Sequence, residues 1–111
     1  MQDSLFLEEP ALMNRLKLNA LWMMLVRETL PALARKHEWP ISLDHCFMRV
    51  CLDNALGAPW PTIINRPAIK HLSDEQLLAA ISVAQSLVQT PVTLHALNDQ
   101  SIRWRTAPPR R

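Results

Sequence analysis

At 111 residues, 49% hydrophobic and with a formal net charge of +2, the chain is sized for one domain that buries a single core without disulfides or a structural metal. So mild a basic excess does not by itself mark a nucleic-acid binder, and a single glycine excludes the glycine-rich loops that cradle phosphates. No apolar run reaches the about eighteen residues of a membrane span, since Arg15, Lys17 and Asn19 interrupt the longest candidate.

Gln2, Asp3, Ser4, Glu8 and Glu9 do not form a secretory signal, and two unpaired cysteines suit a reducing compartment. The expected setting is cytoplasmic. Pro10 suits a first helical turn with Glu8 and Glu9 ahead of it, and Leu12, Leu16, Ala20, Met23, Met24 and Leu30 follow at helical spacing. Leu18, Leu21, Trp22, Leu25 and Val26 widen that face until little more than Asn14, Lys17, Asn19, Arg27 and Glu28 is left for water. A helix so apolar is central to a bundle or covered by another subunit, so a homo-oligomer through the first helix is one expected partner. Pro31 predicts a kink, or a separate short helix through Lys36, and Trp39-Pro40 a break.

Ser42 or Asp44 is expected to cap the second helix, which runs to about Leu56 and stops at Gly57 in the left-handed conformation. Pro59, Pro61 and Pro67 make Ala58 to Lys70 a structured loop with room for one short helical turn after Pro61. Ser73-Asp74-Glu75-Gln76 is a capping box, continued at helical spacing by Leu77, Leu78, Ile81, Ala84, Leu87 and Val88. Pro91 separates this from a weaker helical pattern between Thr93 and about Arg105, and residues 107–111 read as a disordered basic tail. The expected fold is all-α: an irregular or orthogonal bundle of four to five helices in one domain over residues 1–106. The first helix and the Ser73-capped helix should form most of the core, with the second helix between them.

The stretch from Trp39 to Pro61 concentrates the unusual residues: both cysteines, the only glycine and two of the four tryptophans. Within it His45, Arg49 and Asp53 recur every four residues and form one stripe of the second helix. One reading is a polar pocket for a small molecule or a partner's side chain. In it Asp53 orients Arg49, His45 exchanges a proton or hydrogen bond, and Asn54 and Trp60 sit at the same end. The other reading is a pair of surface ion contacts.

Cys46 and Cys51 lie about 140° apart around a helix and do not pair with each other. With His45, His71 and His95 they lack the close ligand pairs of zinc sites, so neither metal nor cofactor is expected, and apolar neighbours argue for inert thiols. The C-terminal region holds Arg103, Trp104, Arg105, Arg110 and Arg111 with no acid after Asp99. Together with Arg66 and Lys70 it supports an alternative, nucleic-acid binding by phosphate contact and stacking, against a plain solvated end with Trp104 packed on the core.

The run Asp44-His45-Cys46-Phe47, then Arg49, Leu52-Asp53-Asn54, Gly57, Trp60, Pro67-Ala68 and His71 through Leu77 resembles a group of small proteins of bacteria and fungi. The likeness extends weakly to Leu97-Asn98 and Ser101 through Arg105, covering roughly residues 40 to 105. It implies that His45, Arg49, Asp53 and Trp60 belong together. Some members carry an N-acetyltransferase label, but the usual acetyltransferase needs a mixed sheet and a glycine-bearing pyrophosphate loop, which this sequence does not offer. The expectation is therefore a small interaction or binding protein. The alternatives are a nucleic-acid-binding regulator and a transferase-type enzyme with His45 as acid or base.

Overall fold

Leucine- and alanine-rich segments with one glycine leave the backbone little alternative to helix. The computed structural model describes residues 2–106, and the side chains of residues 12–106. Helix α1 spans Gln2–Met24 and passes without a break through a π-helical turn, Leu25–Thr29, into α2, Leu30–His37. The first helix thus begins ahead of Pro10 rather than at it, because the residues on either side are helix formers and proline removes only one donor from the span. Pro31 follows the π turn directly. There the Leu30 amide donates to the Leu25 carbonyl five residues back, and the widened turn admits the proline ring that a tight α-turn would exclude.

Glu38 ends α2 at φ 53°, a left-handed conformation that costs a non-glycine residue roughly 1–2 kcal/mol. The turn is held by the Trp39 amide, which donates to Ala34 at 3.0 Å, and by burial of the Trp39 ring against Phe47, centroid to centroid 5.8 Å. Helix α3, Asp44–Leu56, is capped by position at Leu43, so neither Ser42 nor Asp44 is the N-cap. Asp44 instead sits in the first turn, and its carboxylate accepts from the His45 amide at 2.7 Å, satisfying one of the free donors there. Gly57 closes α3 at φ 77° as expected, and a β-carbon there would meet no neighbour, so the backbone angle alone requires glycine.

The loop that follows holds a 3-10 turn at Trp60–Thr62, with Pro61 inside it, and a four-residue helix α4, Ala68–His71. The Ser73 box forms as read: its hydroxyl accepts from the Gln76 amide at 3.0 Å and the Gln76 side chain accepts from the Ser73 amide at 2.9 Å. It opens α5, Asp74–Gln89, which turns through 118° across Pro91 into α6, Leu94–Thr106. The result is an all-α bundle of four long rods and one short helix. Residues 107–111, read as a tail, lie outside the described residues.

Helix α5 is the centre, burying Leu77, Ala80, Ile81, Ala84 and Leu87. Helix α3 packs along it through Phe47, Cys51 and Leu52, and the first rod contributes Trp22, Leu25, Val26 and Leu30. Among the described residues of the first rod, the last third of α1, the π turn and α2 enter the core. Farther up, Arg15 ties α1 to the start of α5, donating to Asp74 at 2.7 Å and to the Ile69 carbonyl at 3.1 Å.

Candidate functional site

The polar stripe of α3 faces α6. Asp53 is fully buried, and all its acceptor capacity is used: Oδ1 accepts from the Trp60 amide at 2.8 Å and Arg105 Nη2 at 3.0 Å. Oδ2 accepts from Arg105 Nε and from the Ser101 hydroxyl, each at 2.7 Å. The same Ser101 oxygen accepts from Arg49 Nη1 at 2.7 Å, while Arg49 Nη2 donates to Asn98 at 2.8 Å. Asn54 donates to the carbonyls of Val50, at 2.8 Å, and Leu97, at 3.0 Å. No buried side-chain nitrogen or oxygen among the described residues is left unpartnered. A network so closed binds α6 to α3 and specifies their register.

Asp53 therefore reaches Arg49 through Ser101 rather than directly, and its ion partner is Arg105. The hydrogen bonds that Arg105 donates to Asp53 raise it above the ordinary arginine range; its partial burial opposes this and the carboxylate charge adds to it. His45 stands apart. Its side chain is 73% exposed, and its nearest acid is Asp44, 3.6 Å from Nδ1. Asn98 and Ser101 entered the sequence reading only through the resemblance, although their three-residue spacing, with Arg105 four further on, puts all three on one face of α6.

Asp53 also shapes the loop beyond α3. Its carbonyl accepts from the Gly57 and Ala58 amides at 2.8 and 3.2 Å, folding the chain back so that the carboxylate can take the Trp60 amide. The Trp60 carbonyl then accepts from Ile63 and Ile64, both at 3.0 Å. Thus fixed, the Trp60 ring forms one wall of a groove of about 390 Å3. Trp22 and Met23 of α1, and Met48 and Leu52 of α3, line it as well. Pro67, Ala68 and Ile69 close it, and Arg27 and Arg66 are its two charged members. The Arg66 guanidinium lies 5.1 Å from the Trp60 ring centre, in cation–π contact.

A second cleft, of about 440 Å3, lies at the corner between α5 and α6, where His37 stacks on Trp39 at 5.9 Å and His95 and Thr90 face it. Its apolar lining is limited to Trp39, Pro91 and Val92, less than the groove beside Trp60 offers a ligand body. Both cysteines are free, and burial pushes the Cys51 thiol up to about 12, so it stays protonated and unreactive. No group of three or more His, Cys, Asp or Glu side chains placed to hold a metal occurs among the described residues.

The basic set is dispersed in its roles. Arg105 is committed to Asp53, Trp104 is half-buried, Arg66 stacks on Trp60, and Lys70 and Arg103 are exposed. Arg110 and Arg111 lie outside the described residues. No single helix among the described residues is long and apolar enough to cross a membrane. Comparison with known proteins finds no family model that matches the chain, no curated protein similar to it in sequence and no solved structure similar to it in fold.

Proposed function

We propose that this chain is a small binding protein of a reducing, cytoplasmic setting, that its site is the groove beside Trp60, and that the α3 stripe serves the site as its frame. The observation that carries the reading is the use of a fully buried carboxylate to fix the Trp60 backbone at the groove's edge. Burying an ion has a high desolvation cost, and an ordinary loop needs no such anchor. The groove falls near the lower end of the ~300–1,000 Å3 range of small-molecule sites and is mostly apolar, with few polar groups, as such sites are. Its occupant is a small molecule or a partner's side chain with an apolar body.

The test is a titration with neutral aryl fragments followed by the four tryptophan indole resonances. Trp22 and Trp60 are expected to shift together and saturably while Trp39 and Trp104 stay in place, and Ala68→Trp, which fills the groove, is expected to abolish the response. Shifts at Trp39 alone would move the site to the α5–α6 corner.

A second reading, self-association through α1, is favoured by a separate observation. Leu12, Leu16 and Met24 are exposed by 60, 51 and 46%, and with exposed Ala20 they recur every four residues in a stripe about 18 Å long. The stripe is uncharged, and a small residue sits near its middle, so two copies can cross closely about a two-fold axis. A stripe of four side chains is small beside the ~800 Å2 per partner of a stable interface, so the dimer is expected to be weak. In sedimentation velocity the weight-average mass should rise with concentration for the wild type and stay monomeric for Leu16→Lys. Concentration-independent sedimentation of both would remove the reading.

A further inference from the structure

The groove's charges are not balanced. Its two ionisable side chains are both arginines in an otherwise apolar lining: Arg27 from the π turn and Arg66 from the loop before α4. Among the described residues Arg66 has no hydrogen bond to a side chain or carbonyl and no carboxylate partner; its charge is met by the Trp60 face. A cation–π contact engages none of the five N–H donors of the guanidinium, which stay free for an oxygen pair. Arg27 has a single distant partner, Asp44 Oδ2 at 3.8 Å from its Nε, with both side chains largely in water. That pairing is too long for a hydrogen bond and is worth little. The two arginines and Asp44 together carry one net positive charge.

We infer that the groove binds an amphipathic monoanion, an acyl or aryl body carrying one terminal carboxylate. The apolar body lies on Trp22, Met48, Leu52 and Ile69, and the carboxylate sits at the rim between Arg66 and Arg27. The inference rests on the groove being the binding site and adds the sign and number of charges on its ligand. A carboxylate matches the fork of donors on each arginine and the single net charge, whereas a phosphate monoester would bring a second negative charge that exceeds the net charge of the two arginines and Asp44. The volume limits the body to medium length, since the site lies near the lower end of the range for small-molecule pockets. Aromatic walls on two sides suit a flat or extended chain equally.

Decanoate, kept below its micelle concentration, is the probe. Decanol, decylamine and decyl phosphate serve as neutral, cationic and doubly charged counterparts, and the Trp22 and Trp60 indole resonances as the readout. Decanoate is expected to bind at least about tenfold more tightly than decanol, with decylamine weakest, and Arg66→Gln or Arg27→Gln is expected to bring decanoate down to the level of decanol. Both arginines are on the surface, so these variants keep the fold, and an unchanged thermal midpoint checks it. Equal binding of decanoate, decanol and decylamine would leave the groove as a site but overturn the charge assignment. Tighter binding of decyl phosphate than decanoate would overturn the monoanion in favour of a phosphate. Absence of saturable binding by any of the four would overturn the groove itself.

Discussion

Asp53→Ala is expected to lower the unfolding free energy by about 3–5 kcal/mol, enough to take the thermal midpoint down by roughly 12–25 °C. Three groups lose their acceptor at once: the Ser101 hydroxyl, the Trp60 amide and the Arg105 guanidinium. Ser101 is closed in by the α3–α6 contact and the Trp60 amide is partly buried, so both carry a desolvation cost for the unmade hydrogen bond. Arg105 has a side chain 32% exposed and can turn outward to water, which keeps the loss toward the lower end of that range. Asp53→Asn should recover little, because the amide nitrogen would point one donor at another in a site where all four incoming groups donate. Urea unfolding of both variants measures this. Loss below about 1 kcal/mol for Asp53→Ala would mean that the network is a surface pairing of the ordinary kind.

A comparable loss, about 3–5 kcal/mol, is expected for Phe47→Ala, but by a different route. Phe47 has no exposed surface and packs between Trp39 and the α5 face, so its removal leaves a cavity that rigid helices on both sides do not fill. Here the conservative variant should behave oppositely: Phe47→Leu restores most of the volume and most of the stability. The pair of series separates the two causes. Chemistry decides at Asp53 and volume decides at Phe47, though the two residues lie six apart on one helix.

The fold class was legible because the signals for it are local. The Ser73 box, the Gly57 stop and the prolines at 31, 40, 59 and 91 each act on their own few residues, and the structure follows them closely. The position of the centre was less legible. The first helix has the longest apolar run, yet α5 holds the middle, because its apolar residues are matched on two sides by α3 and by the end of the first rod. At the site, the four-residue recurrence of Arg49 and Asp53 correctly put them on one face of α3. It could not give their partners, since Asn98, Ser101 and Arg105 are brought from about fifty residues away by the 118° turn at Pro91. His45 shares the spacing but not the burial: α6 meets the later turns of α3 and leaves the first turn in water. The groove was hidden for the same reason, as its walls come from three separate segments.

The π turn has a consequence for how α1 chooses its inward side. Leucines, methionines and a tryptophan are spread around most of that helix, so two arcs are nearly equal candidates for the core: Leu18, Trp22 and Val26 on one, Leu12, Leu16, Ala20 and Met24 on the other. A helix that is nearly degenerate in this way is assigned its phase by whatever it is joined to. The turn closes its hydrogen bond over five residues, Leu30 to Leu25, where an α-turn uses four, so it inserts one residue, and one residue is about 100° of rotation. That offset keeps Trp22 and Val26 facing α3 and α5 while the other arc faces outward. The five residues of the turn thus select which apolar surface of the first helix belongs to the protein and which is offered to its surroundings.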